Sequence, residues 1–234
     1  MIQNKAKEYQ SEFQQLDALE MLRFVLYHHP GKVVLSSSLS AEDQVITHML
    51  CSLSEKSGVF TLDTGRLFYE TYDLIDRTNK HFGISMKVMF PDAGRVEHMV
   101  QDSGMNLFYN SVEQRKLCCQ VRKIEPLRRA LKGNAIWVTG LRIEQSPTRK
   151  GLHVVEWDEV NEIIKLNPLL HWSDADVWDY IKKQKIPYNP LHDKGFPSVG
   201  CKPCTRAVEP GEDIRAGRWW WENPETKECG LHKG

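Results

Sequence analysis

Four of the six cysteines fall into two tight pairs, which makes them candidates for metal or iron–sulfur chemistry. Cys118 and Cys119 are adjacent, whereas Cys201 and Cys204 follow far downstream with two residues between them. One centre bound by both pairs would join two distant segments of the chain. Structural zinc usually takes ligands spaced by two to four residues, which the adjacent pair does not satisfy. The spacing therefore favours a cluster held by four thiolates, with zinc as the alternative; a vicinal disulfide is geometrically awkward.

Two further residues could act near such a centre. Lys123 lies four residues after Cys119, on the same helical face if a helix continues there, and would put a positive charge beside the thiolates. Cys229 lies near the C-terminus, next to a glycine and among basic residues that favour a thiolate, although Glu228 opposes that effect. Cys229 is thus a candidate nucleophile. A surface lysine and an idle tail cysteine are the alternatives.

Hydroxyl and basic side chains supply candidates for holding an anion. The hydroxyl-rich turn at 36–43 precedes a predicted helix, whose N-terminal amides suit a phosphate or sulfate group. The turn lacks the glycines of G-x-G-x-x-G and the lysine of a Walker loop. Arg142 and Arg149 lie in a basic loop, and Arg215 and Arg218 precede three tryptophans that we expect to pack. An ordinary capped turn and a solvated basic loop are the alternatives.

The elements that must position these residues alternate between short apolar strands and amphipathic helices. The predicted strands are residues 32–35, 59–62, 84–90 and 135–138, followed by a hairpin formed by 153–157 and 162–166. This order predicts a mostly parallel sheet in an α/β fold. The turns at 36–43, 63–66 and 139–149 leave the carboxyl ends of strands. We therefore expect three loops to converge on one ligand crevice at the switch point of strand order.

Composition and charge exclude several functional classes. Basic and acidic residues number 31 each, so no global basic field marks a nucleic-acid partner. The N-terminus is polar and unlike a signal peptide, and no apolar run approaches membrane-spanning length. We expect a cytoplasmic protein without a membrane partner. In that reducing compartment, six cysteines are better interpreted as ligands or catalysts than as disulfides.

Taken together, these motifs resemble the assimilatory sulfonucleotide reductases, specifically the iron–sulfur adenylylsulfate (APS) reductases that use thioredoxin. The resemblance covers about residues 33–232. It rests on the 36–43 turn, on Leu-Asp-Thr-Gly at 62–65, on the two cysteine pairs, and on Glu-Cys-Gly-Leu-His at 228–232. The resemblance implies a Rossmann-like parallel sheet of the adenine-nucleotide α-hydrolase-like type. It also implies a place in sulfate assimilation towards cysteine and, commonly for this family, a homo-oligomer.

The resemblance implies a role for each candidate residue. Cys118, Cys119, Cys201 and Cys204 would hold a [4Fe–4S] cluster that does not itself carry the electrons. Lys123 would link that cluster to the substrate anion. The remaining substrate-binding residues would be Ser36, Ser37, Ser38, Leu62, Asp63, Thr64, Gly65, Arg149, Arg215 and Arg218, with Arg142 as a weaker candidate.

The implied chemistry and domain organisation centre on Cys229. Its thiolate would attack the sulfur of APS, AMP would leave, and thioredoxin or a glutaredoxin-like reductant would release sulfite from the S-sulfocysteine. We predict an N-terminal helical segment at 1–30 and a nucleotide-binding α/β reductase domain with the iron–sulfur site at 31–211. The C-terminal tail at 212–234 would carry Cys229. It would close over the pocket for the reaction and open again to the protein reductant.

Three alternatives stay open at the level of sequence. A reductase for the 3′-phosphorylated substrate, PAPS, would need cationic partners for the extra phosphate. The four cysteines favour APS, because the resembled PAPS-specific enzymes lack them, although dual specificity is a further possibility. An ATP pyrophosphatase-type enzyme of the same fold would carry S-G-G-x-D-S, which residues 36–40 do not match. The third alternative is a cluster- or zinc-binding interaction module.

Overall fold

A six-stranded sheet forms the centre of the structure, a computed structural model that describes residues 2–54, 58–145, 149, 151–223, 227 and 230. The strands are β1 (Val33–Ser37), β2 (Gly58–Leu62), β3 (Lys87–Met89), β4 (Ile136–Val138), β5 (Val155–Asp158) and β6 (Ile163–Leu166). Their order is β3-β2-β1-β4-β6-β5, with β5 antiparallel to β6 and the other neighbours parallel. The predicted α/β fold with a mostly parallel sheet is confirmed. Strand order reverses between β1 and β4, which is where such folds bind ligands.

Helices connect the strands and cover the sheet. They are α1 (Ile2–Glu12), α2 (Ala18–His28), α3 (Ala41–Leu53), α4 (Tyr69–Phe82), α5 (Ala93–Ser103), α6 (Val112–Cys119), α7 (Glu125–Leu131) and α8 (Asp174–Gln184). A π-helical segment, Gln120–Ile124, joins α6 to α7 without a break. Among the described residues, no helix combines the length and apolar character needed to cross a membrane.

The core lies on both faces of the sheet. On one face, Leu22 of α2, Val45 of α3 and Val177 of α8 belong to the main apolar cluster. On the other face, Trp137 of β4 packs with Leu127 of α7. Strands buried on both sides need apolar residues at every position, which explains why β1 and β4 begin as continuous apolar runs.

The N-terminal region forms two helices instead of the single amphipathic helix that periodicity predicts up to His29. Asp17 is the N-cap of α2 and accepts a hydrogen bond from the Glu20 amide at 2.8 Å. The Glu20 carboxylate accepts one from the Asp17 amide, also at 2.8 Å. This capping box satisfies the first amides of α2 and starts a new helix inside an apolar period that looks continuous.

One local prediction is confirmed, and a second capping box is observed. β5 and β6 form the predicted antiparallel hairpin, with Val155 opposite Leu166. Ser173 caps α8, with Asp176 completing a capping box. Both features are written in residues close together in the chain, so local chemistry is sufficient to specify them.

Candidate active site and cysteine cavity

A cleft of about 480 Å³ lies beyond the carboxyl ends of β1 and β4. Ser38 after β1, Thr64 after β2 and Gly140 after β4 all line it. The predicted convergence of three loops on one crevice is therefore observed. Its position at the reversal of strand order is the one that open α/β sheets use for ligands.

The 36–43 turn is held by side-chain hydrogen bonds. Ser40 is the N-cap of α3 and accepts from the Asp43 amide at 3.3 Å, as the sequence predicts. The Asp43 carboxylate does not return to Ser40; it accepts from both the amide and the hydroxyl of Ser38, each at 2.7 Å. Leu39 between them has φ 62° and is buried, a left-handed conformation that is rare for a non-glycine residue. Such strain is characteristic of functional turns.

Asp43 is a buried acid at the edge of the cleft. Burial raises its pKa to about 6, although the hydrogen bonds from Ser38 oppose this rise. Gly140 passes so close that a β-carbon there would collide with the Asp43 carboxylate and lie 3.0 Å from Cβ of Glu42. A glycine is therefore required where the loop after β4 meets the start of α3.

The residues predicted to hold the substrate largely share the cleft. Those that line it are Ser36, Ser37, Ser38, Leu62, Thr64, Lys123, Arg142, Arg149, Arg215 and Arg218. Asp63 and Gly65 are not among its lining residues. Asp63 instead shapes the turn after β2, because its carboxylate accepts from the Gly65 amide at 2.7 Å and from the Tyr72 hydroxyl at 2.9 Å.

Arg142 lines the cleft, but its guanidinium is engaged by carboxylates. It contacts Glu42 at 2.9 Å, Asp174 at 3.0 Å and Glu144 at 3.4 Å, and its side chain is 3% exposed. Three acids around one buried cation leave little charge for a substrate anion. Arg142 therefore joins α3, α8 and the loop after β4, and is better placed to fix the cleft wall than to grip a ligand.

Arg149, Arg215 and Arg218 approach the cleft from two segments. Arg149 donates to Gln145, and Arg215 donates to the carbonyl of Lys227 at 3.0 Å. Arg218 donates to the Ser198 hydroxyl at 3.1 Å, and its Cζ lies 4.7 Å from the centroid of the Trp219 ring. These contacts orient guanidinium groups in the cleft, as anion recognition requires.

The two cysteine pairs meet in a second, smaller cavity. Cys118 and Cys119 end α6, Cys201 precedes a short 3-10 turn that Cys204 ends, and all four cysteines are buried around this space. Its basic lining residues are Arg66, Arg115, Arg122 and Lys123. Thr64 Oγ1 lies 3.2 Å from Cys201 Sγ. The predicted joining of two distant segments by four thiols is thus seen in the geometry.

Four buried thiols around one cavity are a donor set that a metal centre can use. Burial, and then the charge of Cys201, raises the pKa of Cys204 to about 12, so the Cys204 thiol needs bound positive charge to ionise. Four thiols and four cations around one cavity therefore fit an iron–sulfur cluster.

Lys123 belongs to both spaces, because its side chain lines the cysteine cavity and the cleft. The sequence places it on the face of Cys119 if a helix continues there, and a helix does continue, in π-helical form. Lys123 lies in the π-helical segment, whose wider turn still brings a residue four positions on to nearly the same side. Such π-helical turns are frequent at functional sites.

Cys229, the predicted nucleophile, lies outside the described residues. Its described neighbours are Lys227, whose carbonyl is bound by Arg215, and Gly230. A β-carbon on Gly230 would lie 3.7 Å from Cδ1 of Ile124, at the end of the π-helical segment. The residues on both sides of Cys229 therefore lie beside elements that carry the cleft and the cysteine cavity.

Sequence reasoning missed the buried arginines of the cysteine cavity. Arg122 donates to the Thr64 carbonyl at 2.7 Å, and its Nε has no hydrogen-bond partner among the described residues. Arg115 forms a buried ion pair with Glu222, 107 positions away. Arg115 lies three positions before Cys118 in the chain, which is a usable signal, but nothing local marks Glu222 as its partner.

The fold and the site define an α/β protein with a ligand cleft at its switch point and a four-cysteine centre beside it. Residues 32–207 match the model of the phosphoadenosine phosphosulfate reductase domain, and the chain belongs to this family. A Burkholderia cepacia protein named adenosine 5′-phosphosulfate reductase is 51% identical over 217 residues, which cover 93% of this chain and 87% of that protein. These comparisons confirm the predicted family.

Two solved structures resemble the chain. The phosphate complex of phosphoadenylyl-sulfate (PAPS) reductase from Candida auris has a TM-score of 0.74 and 27% identity, covering 88% of this chain and 97% of that one. Yeast FAD synthetase in complex with FAD has a TM-score of 0.54 and 14% identity, covering 88% and 75%. The second likeness bears on the fold alone. Together they confirm the adenine-nucleotide α-hydrolase-like type of sheet.

Proposed function

We propose that the protein reduces APS to sulfite and AMP in sulfate assimilation, with thioredoxin or a glutaredoxin-like protein as the reductant. The observation that carries this proposal is the cysteine cavity that shares Lys123, Cys201 and Trp219 with the nucleotide-sized cleft. The proposal is supported by the Burkholderia cepacia protein that is 51% identical to this chain and is named adenosine 5′-phosphosulfate reductase. We further propose a cytoplasmic location and a homo-oligomeric state, the latter to be checked by light scattering.

The cleft would bind the nucleotide and neutralise its sulfonate. The hydroxyl-rich turn at 36–43 and Thr64 would face the polar groups of the nucleotide. Lys123, Arg149, Arg215 and Arg218 would surround the phosphate–sulfate group. Anionic oxygens on the substrate repel a thiolate, so these cations must act before the sulfur can be attacked. Arg142 would contribute by holding the wall of the cleft.

Cys118, Cys119, Cys201 and Cys204 would hold a [4Fe–4S] cluster. When bound, it supplies a structural tie between the two segments and a charged centre beside Lys123. The cations around the thiols support this assignment, since buried thiolates need compensating charge. Lys123 would place its ammonium group between this centre and the substrate anion, and would thereby align the sulfonate.

Cys229 would supply the nucleophile. Its thiolate attacks the sulfur of APS, an S–S bond forms as the S–O bond to AMP breaks, and AMP leaves with that electron pair. A thioredoxin thiolate then attacks Cys229 Sγ and expels sulfite. The second thioredoxin thiol completes a disulfide and returns Cys229 as a thiolate. The two electrons come from the dithiol, so the four-cysteine centre need not carry any.

PAPS is the second candidate substrate, because the Candida auris structure that resembles this chain bears the name PAPS reductase. Sulfite release from APS and from PAPS, measured side by side with thioredoxin and its reductase, separates the candidates. We expect turnover of APS and little turnover of PAPS. Equal rates would establish dual specificity, and release from PAPS alone would contradict the proposal.

A further inference from the structure

Arg115 and Glu222 form a buried, two-pronged ion pair. Arg115 lies on α6 three residues before Cys118, and Glu222 lies in the first half of the C-terminal tail, residues 212–234. Nε and Nη2 of Arg115 donate to the two carboxylate oxygens of Glu222 at 2.8 and 2.7 Å. The two side chains are 0% and 3% exposed. A bidentate pair this deeply buried fixes the relative position of the two segments.

The same guanidinium faces the cysteine cavity. Arg115 lines that cavity, and its Cζ lies 4.8 Å from the centroid of the Trp219 ring. Burial lowers the pKa of Arg115, but hydrogen bonds to Glu222 and to Cys119 outweigh burial and raise it. The Trp219 amide donates to the Cys204 carbonyl at 3.1 Å. The segment that contains Glu222 is therefore attached to both cysteine pairs.

The two cysteine pairs belong to the two segments that this ion pair connects. A group bound by all four thiols would hold α6 and residues 201–204 together. Arg115 on α6 bonds to Glu222, and the Cys204 carbonyl accepts from the Trp219 amide, so such a group would fix both attachments of the segment. Filling the cavity should therefore stiffen the segment that ends at Glu222, seven residues before Cys229.

We propose that Arg115 and Glu222 are positioning residues that couple the filled cysteine cavity to placement of the tail carrying Cys229. This inference rests on the proposed function for the identity of the cluster and of the nucleophile. Neither residue lines the cleft. Their effect on the reaction passes through the base of the tail.

Another ion pair provides a matched control. Arg206 donates to both carboxylate oxygens of Glu212 at 2.8 Å, and both residues belong to the C-terminal third of the chain. This pair is about one-third exposed and does not line the cysteine cavity. Glu212→Gln removes the same type of bond as Glu222→Gln without disturbing the link to the thiols.

The first test follows trypsin cleavage after Lys227 by mass spectrometry. Protein reconstituted with iron and sulfide is compared with metal-depleted protein, and cleavage after Arg77 on the exposed face of α4 reports general unfolding. We expect cleavage after Lys227 to slow by about fivefold or more on loading in wild type and in Glu212→Gln. Glu222→Gln should lose this difference. Equal cleavage of loaded and depleted wild type would overturn the proposal, even if every Glu222 variant failed to fold.

The second test separates positioning from a merely structural role. Formation of S-sulfocysteine is followed with APS and without reductant. In Glu222→Gln, we expect its rate at saturating APS to fall by roughly tenfold and KM for APS to stay within about twofold. Arg115→Lys should show a smaller loss of rate than Arg115→Gln, because it keeps the charge.

The two proposals fail in different ways. If wild-type protein forms no S-sulfocysteine with APS, the proposed function falls, whereas the proteolysis experiment still tests the link. If wild type turns over APS and Glu222→Gln matches it in rate and in protection of Lys227, the link alone falls.

Discussion

Cys229 and Lys123 illustrate two kinds of evidence at the scale of single residues. Lys123 is placed by geometry, because it lines both the cleft and the cysteine cavity. Cys229 lies outside the described residues and is proposed on its chemistry, while Lys227 and Gly230 lie beside Arg215 and Ile124. A nucleophile on a chain terminus can close over a bound substrate and then open to a protein reductant. In the proposed function, the tail supplies the nucleophile, and the residues around the cleft and the cysteine cavity supply the positive charge.

Replacing Cys229 with serine tests whether the tail supplies the nucleophile. We expect sulfite release from APS to be abolished in Cys229→Ser, since a hydroxyl is a far weaker nucleophile than a thiolate. The visible absorption of the iron-loaded protein should be unchanged, because the cavity thiols are untouched. Normal turnover by Cys229→Ser would show that another thiol attacks the substrate.

Asp43 makes a prediction about pH. Its pKa is raised from 3.8 to about 6 in the folded protein, chiefly by burial, so the folded state binds this proton more tightly than the unfolded state. The stabilising contribution is complete below about pH 4 and is lost as pH rises to about 6. A shift of this size changes the free energy of unfolding by about 3 kcal/mol.

Urea unfolding between pH 4 and pH 7 measures this contribution when wild type is compared with Asp43→Asn. The variant should lack the decline, because an amide has no proton to lose in this range. Parallel pH curves for the two proteins would contradict the assignment.

At the scale of elements, the loop after β4 packs tightly against the start of α3 at the edge of the cleft. Gly140→Ala would push a methyl group into Asp43 and Glu42. Overpacking of this kind costs about 1–3 kcal/mol. We expect a lower melting temperature and a raised KM for APS, because the displaced acid is bonded to the 36–43 turn.

Gly151→Ala is the matched control for Gly140→Ala. A β-carbon at Gly151 would have no atom within 4 Å, so this variant should resemble wild type. Equal melting temperatures for the two variants would show that the loop after β4 accommodates the added methyl group without a loss of stability.

Local sequence patterns predict most of the elements and few of their long-range contacts. The hairpin of β5 and β6 and the cap at Ser173 depend on neighbours in the chain, and both are observed. The π-helical turn at Gln120–Ile124 has no local signature, so the sequence indicates a continuing helix without its type. The capping box at Asp17 was available in the sequence but was hidden by a continuous apolar period.

In the site, too, the sequence reveals the residue types but not the partners that they contact. The two cysteine pairs can be recognised in the sequence as a site, because cysteines are rare and these four are closely spaced within each pair. Arg142 looks like an anion ligand in sequence, and only folding reveals the three carboxylates that surround it. Ion pairs such as Arg115–Glu222 join residues 107 positions apart, so they follow from packing and not from any local pattern.

At the scale of the whole molecule, the cysteine cavity joins the helix that ends at Cys119 to the irregular C-terminal region. The described residues of that region contain few regular elements, so its position depends on the contacts around Cys201, Cys204 and Trp219. A metal cluster that cross-links distant segments contributes directly to folding. Loss of the cluster should therefore destabilise the protein as well as stop its reaction.

Protein purified without oxygen should contain iron and acid-labile sulfide in equal amounts, and it should be coloured. Cys204→Ser should bind much less iron and should melt at a temperature lower by several degrees, because one of the four ties is missing. Cys51→Ser is the matched control, since Cys51 is a half-buried thiol of α3 outside the cavity. It should keep both the iron and the melting temperature. A colourless protein that binds zinc, or equal loss of metal from the two variants, would contradict the assignment of the four thiols to one cluster.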